Sequence, residues 1–204
     1  MKLTIMNAWN VLALGIFLNS QLAGQELRRI PTLPQLLGED TKKEADLTLA
    51  DLEKIFRNHK AELFSEVPNV WKFGVLGNWC DALKKQPTAH DLQPMLLKEI
   101  GNQKAIDREP VGWDEIAVIG RGGDVGLLME CVIGISGEAG FNQVFESVVT
   151  EDNPAKLKIL LLQVNRRGER AKYNSIVETR LKTLQSPRLK EVIAAYLKTA
   201  TTGK

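Results

Sequence analysis

Apolar residues along this chain recur at spacings of three and four, the period of a helix with one buried face. Leu49, Leu52, Phe56, His59 and Leu63 form the first such stripe. Thr48 stands before it as an N-cap, and Asp51 occupies the capping-box position three residues on. Pro68 and Asn69 break that helix and start a second, carrying Val70, Phe73, Leu76, Cys80 and Leu83 and thickened by Trp71 and Trp79. Pro87 ends it. Thr88 or Asp91 then caps a third helix with Leu92, Leu96 and Ile100 inside. Pro94 falls in its first turns, where a missing N–H is tolerated. The stretch WDEIAVI, residues 113–119, fits a strand or a helical turn equally well.

The second half continues in the same period. Gly122 and Gly123 can take positive φ and turn the chain tightly, and Asp124 caps the helix that follows, with Leu128, Cys131, Val132 and Ile135 on one side. Gly134, Gly137 and Gly140 weaken that helix and predict a split from a second piece, Phe141 to Val149. Asn153 and Pro154 read as cap and first helical residue ahead of Leu157, Leu160, Leu161 and Val164. Gly168 predicts a kink before Tyr173, Ile176, Val177, Leu181 and Leu184. Ser186 and Pro187 repeat the start signal for Leu189, Val192, Ile193, Tyr196 and Leu197. No hairpin signal and no repeat of fixed period stands against this. The expected fold is all-α: a single-domain irregular bundle of about seven helices over residues 47–204.

The first residues break the pattern. Ala8 to Leu18, AWNVLALGIFL, is apolar except for Asn10; it follows Lys2 and precedes the small residues Ala23 and Gly24. That layout predicts a secretory signal peptide over residues 1–24, cleaved near Gly24, and hence a secreted, extracellular protein. The run is shorter than the about 20 apolar residues that span a bilayer, and no later stretch is longer. Residues 25–46 hold Pro31, Pro34 and charges with little periodicity, and read as a flexible leader. Arg28-Arg29 is a dibasic pair open to processing.

Export changes how the two cysteines are read. In an oxidising compartment the isolated pair Cys80 and Cys131 is expected to form one disulfide. Each lies on the apolar side of its helix. Loop-closure entropy over about 50 residues would stabilise the bridged form by roughly 4 kcal/mol, less any strain.

Charge is segregated. Residues 25–155 hold 14 Lys and Arg against 22 Asp and Glu, whereas residues 156–204 hold 12 against 3. Such a split marks either an anionic partner for the basic part or attraction between the two parts. Arg166, Arg167, Arg170, Lys172, Arg180, Lys182, Arg188 and Lys190 are the candidate anionic-partner surface. Outside a cell its partners would be glycosaminoglycans or an anionic lipid surface. Tyr173 is the one aromatic interleaved there, so sequence-specific nucleic-acid binding is not indicated.

Chemistry finds little to work with. In VIGRGGDVGLLMEC, residues 118–131, Gly120 and Gly122 fit a dinucleotide fingerprint, but Val125 holds the third position and Gly126 comes one residue late. No phosphate loop, GxSxG elbow or calcium loop is present. The only histidines are His59 and His90, and no CxxC or HxxxH spacing points to a metal. Cys80 with either histidine would make a thiol–imidazole pair, which a disulfide forbids. No catalytic residue, metal or cofactor is therefore expected. Gln25-Glu26-Leu27-Arg28 resembles the Gln-x-Leu-Arg variant of the host-entry motif of oomycete secreted effectors, and Gly38-Glu39-Asp40 resembles its acidic companion. That resemblance covers a few residues and implies a host-directed effector. The expectation from the whole sequence is a secreted binding or interaction protein. The other readings are an extracellular carrier of a small apolar ligand and the host-directed effector.

Overall fold

Helix is the regular structure of the described residues, 31–64, 70–103, 123–166 and 170–201 of the computed structural model, and no strand occurs among them. All belong to one unit, Pro31–Lys204. The helices are α1 Leu33–Leu37, α2 Leu49–Asn58, α3 Lys60–Leu63, α4 Val70–Lys84, α5 Gln93–Asn102, α6 Gly123–Thr150, α7 Pro154–Arg166, α8 Arg170–Thr183 and α9 Pro187–Thr201. The long α6 sits at the centre. It packs against α4, α5 and α7; α1, α2 and α3 lie on α4; α8 and α9 lie on α7 and on each other.

The expected stripes supply the core. Leu52, Leu63, Leu76, Leu83, Leu96, Ile100, Leu128, Val132, Leu157, Leu160, Leu161, Val164, Val177, Leu189 and Ile193 are all buried. Two aromatic clusters fix how helices meet. Trp79 of α4 donates its indole N–H to the Leu52 carbonyl at 2.9 Å, and its ring centroid lies 4.9 Å from that of Phe56. Phe141 of α6 stacks 4.6 Å from Tyr173 of α8. Each such buried ring contributes about 1.5–3 kcal/mol of transfer free energy. His59, placed by its spacing on the first stripe, instead ends α2 with φ −122° and ψ 41°, so α2 and α3 are separate helices.

Three of the predicted starts hold. The Thr48–Asp51 capping box is formed in both directions, Asp51 N–H to Thr48 Oγ1 at 3.2 Å and Thr48 N–H to Asp51 Oδ2 at 2.9 Å. Asn153 Oδ1 accepts from Lys156 N–H at 3.1 Å, and Ser186 Oγ accepts from Leu189 N–H at 3.4 Å. One differs. Neither Thr88 nor Asp91 caps α5, because the 3-10 turn Ala89–Leu92 runs straight into it with Leu92 at the cap position.

Asp51 also accepts from Lys42 Nζ at 2.8 Å. That contact first, and the Thr48 N–H second, hold its carboxyl at about 2, below the usual 3.8. A folded-state pKa below the unfolded one gives stability that is present above pH 3.8 and lost as pH falls toward about 2. Asp51→Asn is expected to lower stability at neutral pH by about 1 kcal/mol and to flatten its fall across that acid window. Urea midpoints measured through the window check this; identical pH slopes for the two proteins would refute it.

The flexible leader is corrected over residues 31–46. Thr32 and Gln35 form a capping box, Gly38 closes α1 at φ 75°, and Leu33, Pro34, Leu36 and Leu47 are buried. Gln86 Nε2 donates to the Leu47 carbonyl at 2.8 Å and ties the segment to the end of α4. A five-residue helix is too short to show a period, and only tertiary burial stabilises it. The folded unit thus begins near Pro31 rather than at residue 47. The expected signal peptide, Gln25–Arg28, Pro68, WDEIAVI, Gly120, Gly122 and Gly168 lie outside the described residues.

The glycine start of α6 is as expected at Gly123, φ 67°. Asp124 lies one residue inside the helix rather than at the cap. The expected split falls at Gly137, whose φ 57° and ψ −127° break the helical path between two arms. Gln93 at the start of α5 bridges the break: its Oε1 accepts from Ser136 Oγ at 2.8 Å and its Nε2 donates to Gln143 Oε1.

Candidate functional site

Two features of the sequence carried chemistry, the cysteine pair and the basic C-terminal helices. The fold treats them differently.

Cys80 and Cys131 face each other where α4 packs on α6, at 2% and 0% exposure. Cys131 Sγ lies 3.9 Å from the carbonyl oxygen of Cys80 itself, and Cys80 Sγ lies 3.9 Å from that of Leu127. The structure therefore brings the predicted partners together, and holds them as free thiols. Contact with the Cys131 thiol, and burial after it, push the Cys80 thiol well above its usual range. A thiol that resists ionisation is a poor nucleophile. The histidines are engaged elsewhere, His59 Nδ1 3.8 Å from Glu62 and His90 Nε2 3.3 Å from Asp91.

The basic residues are spread over α7, α8 and α9. Lys172, Lys182, Arg188 and Lys190 are exposed. Arg180 Nη2 is 2.6 Å from Glu146 of α6, so it pairs at the surface with the acidic part of the chain. Arg166 and Arg170 stand at the end of α7 and the start of α8, and their side chains, like all of Arg167, lie outside the described residues. Residues two apart on a helix diverge by about 200°, so Arg180 and Lys182 point to opposite sides, as do Arg188 and Lys190. The described basic residues thus do not line one face.

Sequence reasoning missed the buried polar residues. Gln93, Glu99, Lys156 and Gln163 are nearly sealed from solvent. Glu99 accepts from Lys60 Nζ at 2.5 Å and from Gln103 Nε2 at 2.7 Å, which clips α3 to α5. Lys156 Nζ donates to Glu151 Oε2 at 2.6 Å and to the Gly101 carbonyl at 3.0 Å. A signal existed for the last: Lys156 lies four residues before Leu160, on the buried face of α7. These groups are satisfied by protein partners and serve to position helices. Among the described residues no group of three or more His, Cys, Asp and Glu side chains is placed to hold a metal ion, and no helix is long and apolar enough to cross a membrane.

No protein-family model, curated protein or solved structure matches the chain.

Proposed function

We propose that this chain is a secreted helical binding protein without chemistry of its own. It engages an anionic partner, a glycosaminoglycan or an anionic lipid surface, through exposed cations of its last two helices. The observation that carries this reading is the charge segregation, 12 basic against 3 acidic residues from position 156 onward, with Lys172, Lys182 and Lys190 exposed on α8 and α9. Internal pairing absorbs part of that excess, at Arg180 and at Lys156. The remainder creates a positive field that draws in polyanions and weakens with salt. Because the cations diverge around their helices, the reading favours a long flexible polyanion that can wrap over a small rigid ligand that needs convergent donors.

Heparin–agarose chromatography tests it. The protein is expected to stay bound above physiological salt, and the triple variant Lys172→Gln/Lys182→Gln/Lys190→Gln to elute at clearly lower salt with unchanged helix content. Elution of the unaltered protein at or below physiological salt would end this reading. An exported chain also meets an oxidising compartment, and the adjoining thiols Cys80 and Cys131 are its candidates for a bridge.

A further inference from the structure

We infer that Cys80 and Cys131 form a cross-link that closes while the helices assemble and is sealed once they have packed. It rests on the export reading only for its natural oxidant, a disulfide of the glutathione-disulfide class. One protein thiolate attacks a sulfur of that disulfide, forms a mixed disulfide and releases the first thiolate. The second protein thiolate attacks the protein sulfur of the mixed disulfide and releases the second. Two protein thiols are oxidised, one disulfide is reduced to two thiols, and the protons end on the released thiols.

Three observations place the closure before packing is complete. The contact is made: Cys131 Sγ already lies 3.9 Å from the backbone of the residue it would join. Access is lost: both cysteines are buried where α4 packs on α6, so an incoming disulfide reaches neither sulfur until that interface opens. Reactivity is also reduced, because the neighbouring thiol and burial hold Cys80 in its protonated form. In the unfolded chain both sulfurs are free to react, and positions 51 apart in sequence close a loop readily.

Order of addition tests this. The chain is reduced, unfolded and refolded either with a glutathione redox mixture present or under full reduction, with glutathione disulfide then added to the native protein. Oxidative refolding is expected to give a Cys80–Cys131 peptide two hydrogens lighter than the separate thiols, and an unfolding temperature about 10 °C above that of the reduced form. Oxidation of the pre-folded protein is expected to be roughly a hundredfold slower and to speed up in subdenaturing urea, since it waits on opening of the interface. If both thiols still alkylate after oxidative refolding, or carry only glutathione adducts, no cross-link exists. Equal oxidation rates in the two orders would refute the seal. The oxidant is supplied here, so failure overturns the cross-link and leaves the heparin result standing, and the reverse also holds.

Discussion

Gly140→Ala is expected to destabilise the protein by about 3 kcal/mol, at the upper end of what overpacking costs. In an ordinary helix the same change stabilises by up to about 1 kcal/mol, because glycine loses more backbone freedom on folding. The sign reverses here because of the break at Gly137. Past that break the second arm of α6 returns against the first, so a Cβ on Gly140 would stand 2.4 Å from the Val132 carbonyl oxygen and 3.0 Å from its carbon. Those are backbone atoms and cannot rotate away. The arms must part, and with them move Phe141, Val144 and Phe145, all buried. Gly77→Ala in α4 is the matched control: nothing lies within 4 Å of its Cβ, and a gain of about 0.5–1 kcal/mol is expected. Urea unfolding of both variants checks the pair. Stability of Gly140→Ala at or above that of the unaltered protein would show that the arms do not meet this closely. Against a total of roughly 5–15 kcal/mol, the loss is large enough to lower soluble yield as well.

What the sequence revealed divides along a physical line. Periodicity reports burial of one face of a helix, and most described positions of the stripes of α2, α4, α6, α7 and α9 are buried as their spacing requires. Caps are local, so Thr48, Asn153 and Ser186 could be read without knowing the fold. The interruption of α6 was legible because three of its glycines, Gly134, Gly137 and Gly140, stand three residues apart, though which one bends was decided by packing. Missed features are those made by distant partners. Residues 31–46 show no period and fold because Leu33, Leu36 and Leu47 find cover on later helices. Gln93 and Glu99 look like surface positions until Ser136, Gln143 and Lys60 come to them. A count of cations along α8 and α9 ignores that every second residue changes sides, and that Arg180 has Glu146 opposite it. The cysteines were placed on apolar helix faces by spacing alone, and the fold makes those faces meet.

Lys156→Ala is the second substitution expected to cost about 3 kcal/mol, and it separates a buried charge from an ordinary surface lysine, whose loss costs next to nothing. Lys156 is 2% exposed although it belongs to the most basic part of the chain. Its ammonium joins Glu151, at the turn between α6 and α7, to the carbonyl of Gly101 in the last turn of α5. A cation there also complements the negative end of the α5 dipole. Alanine removes the packed stem, leaves the Gly101 carbonyl without this donor, and strips Glu151 of its partner. Glu151 keeps 30% side-chain exposure and can take water instead, which holds the loss to the low end of the range for a broken buried pair. Lys156→Met retains the stem and discards only the charge, so it should recover about half of the loss. Glu151→Gln is the sharper arm. By its exposure it should cost a few tenths of a kcal/mol, but it leaves a buried ammonium with neutral acceptors, and about 2 kcal/mol is expected. Combining Glu151→Gln with Lys156→Met should then cost less than the two single losses added together, because the second change removes the stranded charge left by the first. Additive losses in urea unfolding would mean that Lys156 acts through its packing alone and that its ion pair with Glu151 contributes nothing to stability.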